Sequence, residues 1–135
     1  MEEFFVDANI FLRFLLKDDR KKAERCKKLF EKAKRGKIQI FTSDLVIAEV
    51  IWTLESFYKV SKKEVAEKVK RLLTLENLGI PGAHLLIEAL VIYEEKNVDF
   101  IDAYNYILML NGGLVRIASY DADFDKLYGI KRQEP

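Results

Sequence analysis

Residues 3–16 read EFFVDANIFLRFLL, and this stretch decides how the chain begins to fold. Residues 3–6 form a short apolar segment that stops at Asp7, which predicts a β-strand. Residues 8–16 predict an α-helix that starts directly after the strand. Strands that alternate with helices are typical of α/β folds, in which the strands lie parallel and the helices connect them.

The same alternation continues along the rest of the chain. Gly36 closes a predicted helix as a C-cap glycine, Thr42-Ser43-Asp44 supplies N-cap chemistry for the next, and Ser61 with Glu64 matches a capping box. The predicted helices cover 20–35, 45–57, 61–75, 83–96, 100–110 and 121–127, the strands cover 37–41, 114–119 and 130–132, and 76–82 is a loop or short strand. The sequence therefore predicts one α/β domain, residues 1–135, with a mostly parallel central sheet flanked by helices in three layers (α/β/α).

The composition excludes several classes of protein. A chain of 135 residues that is 50% hydrophobic and 33% charged fits one compact domain and excludes a disordered chain. A single cysteine, Cys26, leaves no internal disulfide, and one Cys with one His excludes the usual structural zinc sites. No apolar run approaches the roughly 18 residues of a membrane helix, and the acidic start is unlike a secretory signal. We therefore expect a soluble, cytoplasmic protein without a membrane segment.

The charge is unevenly distributed, although the net charge is only +1. Residues 20–37 hold ten basic and two acidic residues, a net charge of +8, whereas the other 13 basic and 20 acidic residues give −7. A basic segment beside an acidic body predicts an anionic partner together with a cation site. The alternative is an ordinary solvated helix face that is rich in lysine.

Four carboxylates occupy positions that packing alone does not explain. Asp7 and Asp121 each follow a predicted strand, and ligands bind at the carboxyl ends of strands in open α/β sheets. Glu49 and Asp102 are each the only charge in an apolar helical segment, residues 45–54 and 100–115. Asp7 and Asp121 have an alternative role as helix N-caps, and Asp99 as a group that solvates a helix N-terminus.

Glu49 is the most informative of these acids because of its apolar neighbours. Its neighbours one helical turn away are Leu45, Val46, Trp52 and Thr53, so we expect its side chain at the edge of the packed face. A carboxylate in that position normally finds a cation or becomes protonated. The alternative is a buried salt bridge.

Oxygen ligands without Cys or His support select hard cations, which indicates Mg²⁺ or Mn²⁺ rather than zinc. Such an ion, held by carboxylates, is suited to attack on a phosphodiester, because it binds phosphate oxygens and activates water. The basic segment would then hold the polyanion. Residues considered for phosphate contact are Arg13, Lys17, Arg20 and Lys21.

The order Val-Asp-Ala-Asn, a lone Glu in an apolar helix, Asp-Ala-Tyr and then Ser-Tyr-Asp-Ala-Asp-Phe resembles a PIN domain, the nuclease fold of VapC-type toxins. The resemblance covers residues 4–127 and places the family's acidic quartet on Asp7, Glu49, Asp102 and Asp121. It also matches Asn9 and Ser119 to supporting polar positions, and Asp123 to a further acid for which N-capping is the alternative.

The resemblance implies a Mg²⁺- or Mn²⁺-dependent endoribonuclease that hydrolyses RNA with a metal-activated water. It also implies a homodimer and a small antitoxin partner that blocks the site. Asp121 is open as a ligand, an orienter of ligands or the holder of a second ion, so one-metal and two-metal chemistry both remain. The rival hypothesis is a catalytically silent member of the same fold that binds RNA or protein.

Overall fold

A computed structural model describes all residues from 1 to 135, and they divide into two compact units, Met1–Ala83 and His84–Pro135. No helix in it is both long enough and apolar enough to cross a membrane.

The first unit contains three strands and four α-helices. In chain order these are β1 (Glu2–Phe5), α1 (Ala8–Leu16), α2 (Arg20–Lys34), β2 (Ile38–Phe41), α3 (Asp44–Trp52), a π-helical turn (Thr53–Phe57), α4 (Lys62–Leu73) and β3 (Leu78–Gly79). The strands pair in the order β1–β2–β3, and both pairings are parallel. Phe11 of α1 stacks on Phe30 of α2 with ring centroids 5.7 Å apart, which joins the first two helices.

Local sequence signals explain where these helices begin and end. Ser43 accepts a hydrogen bond from the Val46 amide, and Ser61 accepts one from the Glu64 amide, so both serines act as N-caps. Gly36 follows α2 with a φ of +74°, a conformation in which glycine has no steric penalty.

The second unit contains two long helices and a two-stranded sheet. Its elements are α5 (Ala83–Lys96), α6 (Phe100–Asn111), β4 (Arg116–Ala118), a 3₁₀-helical turn (Ala122–Lys126) and β5 (Lys131–Gln133). β4 and β5 pair in parallel. Tyr93 and Phe100 pack edge to face at a centroid distance of 6.1 Å where α5 meets α6, and the buried Tyr106 hydroxyl donates to the Tyr128 carbonyl.

The predicted α/β class is confirmed, and every strand pairing is parallel. The alternation of elements did not indicate which strands pair, and they form one sheet of three strands and one of two. The helix predicted over residues 45–57 changes character after Trp52, where the chain continues as a π-helical turn. A segment of only five residues is too short for the spacing of its apolar side chains to distinguish π-helical from α-helical hydrogen bonding.

Candidate active site

Asp7 lies immediately after the buried Val6 at the end of β1 and is itself exposed. Its Oδ1 accepts a hydrogen bond from the Ile10 amide at 3.3 Å, so the side chain is the N-cap of α1. The strand end is fixed by Thr42, a buried residue whose hydroxyl donates to the Val6 carbonyl at 2.8 Å. The residue that directly follows β2 therefore sets the position of the residue before Asp7. The neighbouring Asn9 is exposed.

The expected burial of Glu49 is wrong. Its side chain is exposed and forms neither a hydrogen bond nor an ion pair. The apolar neighbours Leu45 and Trp52 are themselves 77% and 65% exposed, whereas α3 buries Ile47, Val50 and Ile51. Because α3 is apolar on most of its surface, its sequence does not indicate which face is covered. The structure thus presents Glu49 as an unpaired carboxylate on an accessible helix face.

Asp102 is partly buried in the first turn of α6. Burial raises the pKa of its carboxyl above the usual range, and the negative charges of Asp121, Asp99 and Asp123 raise it further. No cation lies within ion-pair distance of Asp102. The second unit therefore brings together four acids, of which only Asp123 has a cationic partner, with Lys126 Nζ at 3.1 Å from its Oδ1.

Asp121 is exposed and begins the 3₁₀ turn, where its Oδ1 accepts a hydrogen bond from the Asp123 amide at 2.9 Å. Ser119 Oγ accepts a hydrogen bond from the Asp121 amide at 3.0 Å. Ser119 thus contacts the backbone of Asp121 and stabilises the conformation of the short loop between β4 and the 3₁₀ turn.

Arg132 of β5 also contacts this loop, although no sequence motif distinguishes it from the other basic residues. Its Nη1 donates to the Ser119 carbonyl at 3.2 Å, while Nε and Nη2 form a fork with the Asp125 carboxylate at 3.1 Å each. That hydrogen bonding lowers the pKa of Asp125. A residue near the end of the chain becomes relevant only through the pairing of β4 with β5, which local sequence does not encode.

The basic residues considered for phosphate contact lie in the first unit and differ in their surroundings. Arg13 is partly buried, with Nη1 at 3.5 Å from Asp18 Oδ1 and a buried Nε that has no hydrogen-bond partner. Lys17, Arg20 and Lys21 are exposed and form no ion pair. Cys26 is a buried thiol whose pKa burial raises, with the Arg13 charge opposing that shift.

The predicted metal set divides between the units, with Asp7 and Glu49 in the first and Asp102 and Asp121 in the second. Within neither unit do three His, Cys, Asp or Glu side chains come close enough to hold a metal ion. The chemistry of the donors around Asp102 nevertheless fits a hard divalent cation, because all of them are carboxylates and most lack a cationic partner. The joint role of the four residues stays a prediction.

A profile of the PIN domain family matches residues 4–130. The chain belongs to the PIN domain family. The resemblance stated from the sequence is thereby confirmed.

Relatives of this PIN domain include a VapC ribonuclease of Aquifex aeolicus (strain VF5), 25% identical over 130 residues that cover 96% of this chain and 95% of the relative. Among solved structures, the VapC20 toxin of Mycobacterium tuberculosis, which cleaves the sarcin-ricin loop, aligns with a TM-score of 0.40 and 21% identity. That alignment covers 94% of this chain and 96% of the toxin chain.

Proposed function

We propose that this PIN domain is a metal-dependent endoribonuclease and the toxin of a VapBC-type toxin–antitoxin pair, with residues 1–135 acting as one nuclease domain. The observation that carries the proposal is the group of carboxylates around Asp102, which lacks enough cations to balance it. A stable domain has little reason to keep acids that repel one another unless a bound cation offsets the repulsion. The similarity to a VapC ribonuclease along nearly its whole length supports the same conclusion.

We assign Asp7, Glu49, Asp102 and Asp121 as the ligands and catalytic carboxylates for Mg²⁺ or Mn²⁺. When bound, such an ion polarises a phosphodiester and lowers the pKa of a coordinated water. Of the supporting residues, Ser119 accepts a hydrogen bond from the Asp121 amide, and Asp123 forms an ion pair with Lys126. Asn9 follows Asp7 in the first turn of α1, where its exposed amide is available to substrate or water.

The proposed partners are an RNA substrate, a second copy of the chain and an antitoxin, all met in the cytoplasm. The exposed apolar side chains Leu45 and Trp52, which lie two turns apart on one face of α3, support an interface with another chain, since large exposed apolar groups mark interaction sites. The unpaired acids support an antitoxin that blocks the site with a basic side chain. A short reading frame directly upstream that encodes a DNA-binding protein would favour the toxin role.

The decisive experiment measures RNA cleavage by the purified chain in chelator and after addition of Mn²⁺ or Mg²⁺. We expect cleavage to be absent in chelator, restored by either ion, and lost again in Asp102→Asn. Glu67→Gln is the matched control, because Glu67 is an exposed acid of α4 outside the acidic groups described above.

Two outcomes would contradict the proposal. Unchanged cleavage in chelator would exclude a metal-dependent mechanism. RNA binding without cleavage under any divalent ion would favour the rival hypothesis of a catalytically silent binding module.

A further inference from the structure

Helix α2 presents a continuous row of cations on its outer face. Its buried side chains are Ala23, Cys26, Phe30 and Ala33. At about 100° per residue, the opposite face is centred on Lys21, Arg25, Lys28, Lys32 and Arg35, the last of which caps the helix. We call these five residues the basic stripe. All five are exposed, and at 1.5 Å per residue the stripe is about 21 Å long.

None of the five side chains of the basic stripe takes part in an ion pair, and the two acids of α2 are Glu24 and Glu31. The N-terminal end of α2 adds to the imbalance. Its first turn holds Arg20, Lys21 and Lys22, where the helix dipole disfavours cations, and the N-cap beside them is Asp19, whose carboxylate accepts a hydrogen bond from the Lys22 amide. Beside it, Arg20, Lys21, Glu24, Arg25 and Lys28 line an open depression of about 360 Å³. The cations at this end of α2 therefore outnumber the acids beside them, which favours an anionic ligand.

The chemistry of the stripe discriminates between anionic partners. A protein interface needs an apolar centre, and the stripe contains no apolar side chain between its first and last residues. A helix bound to a membrane surface needs an accessible apolar face, whereas the apolar face of α2 is buried within the first unit. A nucleic acid backbone requires only cations spaced along a line.

We propose that the basic stripe binds the phosphate backbone of the RNA substrate, independently of base sequence. The proposal rests on the ribonuclease function proposed above, since that function makes RNA the partner. It places the main electrostatic contact on α2, an element that contains none of the four assigned carboxylates.

The test measures binding of the full-length chain to labelled oligouridine by fluorescence anisotropy in chelator, at several salt concentrations. The stripe variant carries Lys21→Gln, Lys28→Gln and Lys32→Gln. The control variant carries Lys63→Gln, Lys96→Gln and Lys131→Gln, which remove the same charge at three other exposed lysines. We expect the stripe variant to bind roughly tenfold more weakly, and its slope of log affinity against log salt to be shallower by about 2. The control variant should keep the wild-type slope.

Several outcomes separate this proposal from the nuclease proposal. Equal slopes in the two variants would overturn the basic stripe while leaving cleavage by the wild type unaffected. An acidic peptide serves as a second ligand in the same assay. If the stripe variant keeps the wild-type affinity for RNA but no longer binds this peptide, the proposal is also overturned and a protein partner is indicated. If the stripe variant has the expected shallower slope but the wild type never cleaves RNA, the proposal for the basic stripe is supported and the proposed nuclease function is contradicted. Thermal melts must match, which the exposure of all six substituted lysines leads us to expect.

Discussion

Two regions of this PIN domain have the same local design, a short strand followed two or three residues later by an N-capping aspartate and a helical segment. In the first, Thr42 donates to the Val6 carbonyl ahead of Asp7, and in the second, Arg132 donates to the Ser119 carbonyl ahead of Asp121. Each anchor comes from the partner strand or directly follows it. The first anchor is a buried neutral hydroxyl, whereas the second is a guanidinium that depends on two acids.

The difference concerns what surrounds the aspartate. Asp7 is accounted for locally, because an N-cap needs only a small side chain that accepts a hydrogen bond. Asp121 lies among Asp102, Asp99 and Asp123, a grouping that capping does not explain. In the first region, a substitution of Asp7 can therefore separate its capping role from its proposed catalytic role. In the second region, a substitution of Asp102 can measure the repulsion between the acids.

The largest expected effect is on activity. Asp7→Asn keeps an N-cap acceptor but removes the charge, so we expect RNA cleavage to fall by more than about a hundredfold, since even outer-shell partners of metal ligands cost about 10- to 100-fold. The melting temperature should stay unchanged. The measurement compares initial cleavage rates and thermal melts of the variant and the wild type. Activity that survives the substitution would leave Asp7 with a capping role alone.

The buried anchor gives the next largest effect. Thr42→Val leaves the Val6 carbonyl without its side-chain donor, which should lower the free energy of unfolding by about 1–3 kcal/mol. Urea denaturation measures this loss. Thr74→Val is the matched control, because the Thr74 hydroxyl donates to the Arg71 carbonyl at an exposed site, and we expect less than about 0.5 kcal/mol there. Equal losses in the two variants would contradict the role given to Thr42.

Repulsion in the second region predicts a stabilising substitution. Because the pKa of Asp102 is raised in the folded state, its ionisation opposes folding as the pH rises through that raised value. Asp102→Asn should therefore raise the melting temperature at neutral pH in chelator, within about 3 °C. The gain should vanish below a pH of about 3.9, where the carboxyl is protonated in both states. A lower melting temperature at neutral pH would show that Asp102 contributes to folding.

The smallest expected effect separates the two anchors by pH. The pKa of Asp125 is lowered in the folded state by hydrogen bonding to Arg132, so the pair stabilises the fold above the unfolded pKa of about 3.9 and stops doing so as the pH falls through the lowered value. Wild type should lose slightly more thermal stability on acidification than Asp125→Asn. Melting curves recorded across this range provide the comparison, and parallel curves would exclude a contribution from the pair.

The sequence predicted the fold class and most element bounds because strong local signals mark them. The helix expected over residues 83–96 coincides with Ala83–Lys96, and the one over 8–16 with Ala8–Leu16. Gly36 and Ser61 explain why α2 ends and α4 begins where they do. Strand pairing and the anchors Thr42 and Arg132 were missed, since contacts between residues far apart in the chain leave no periodic pattern.

Within the candidate site, the sequence identified the acids but not their surroundings. Asp102 was selected as a lone charge in an apolar helix, and its partial burial agrees with that reasoning. The same reasoning misjudged the burial of Glu49, because Leu45 and Trp52 are apolar yet exposed. Apolar neighbours indicate a buried environment only where another element covers them.

The π-helical turn after α3 has a consequence for how the chain tolerates changes of length. Tyr58 donates its amide to the Thr53 carbonyl five residues earlier, so this turn accommodates one residue more than an α-helical turn would. Deleting a single residue there would therefore return the segment to α-helical hydrogen bonding without shifting the residues that follow it. An in-frame loss of one codon is better tolerated at this turn than within α3, where it would rotate every later side chain of the helix by about 100°.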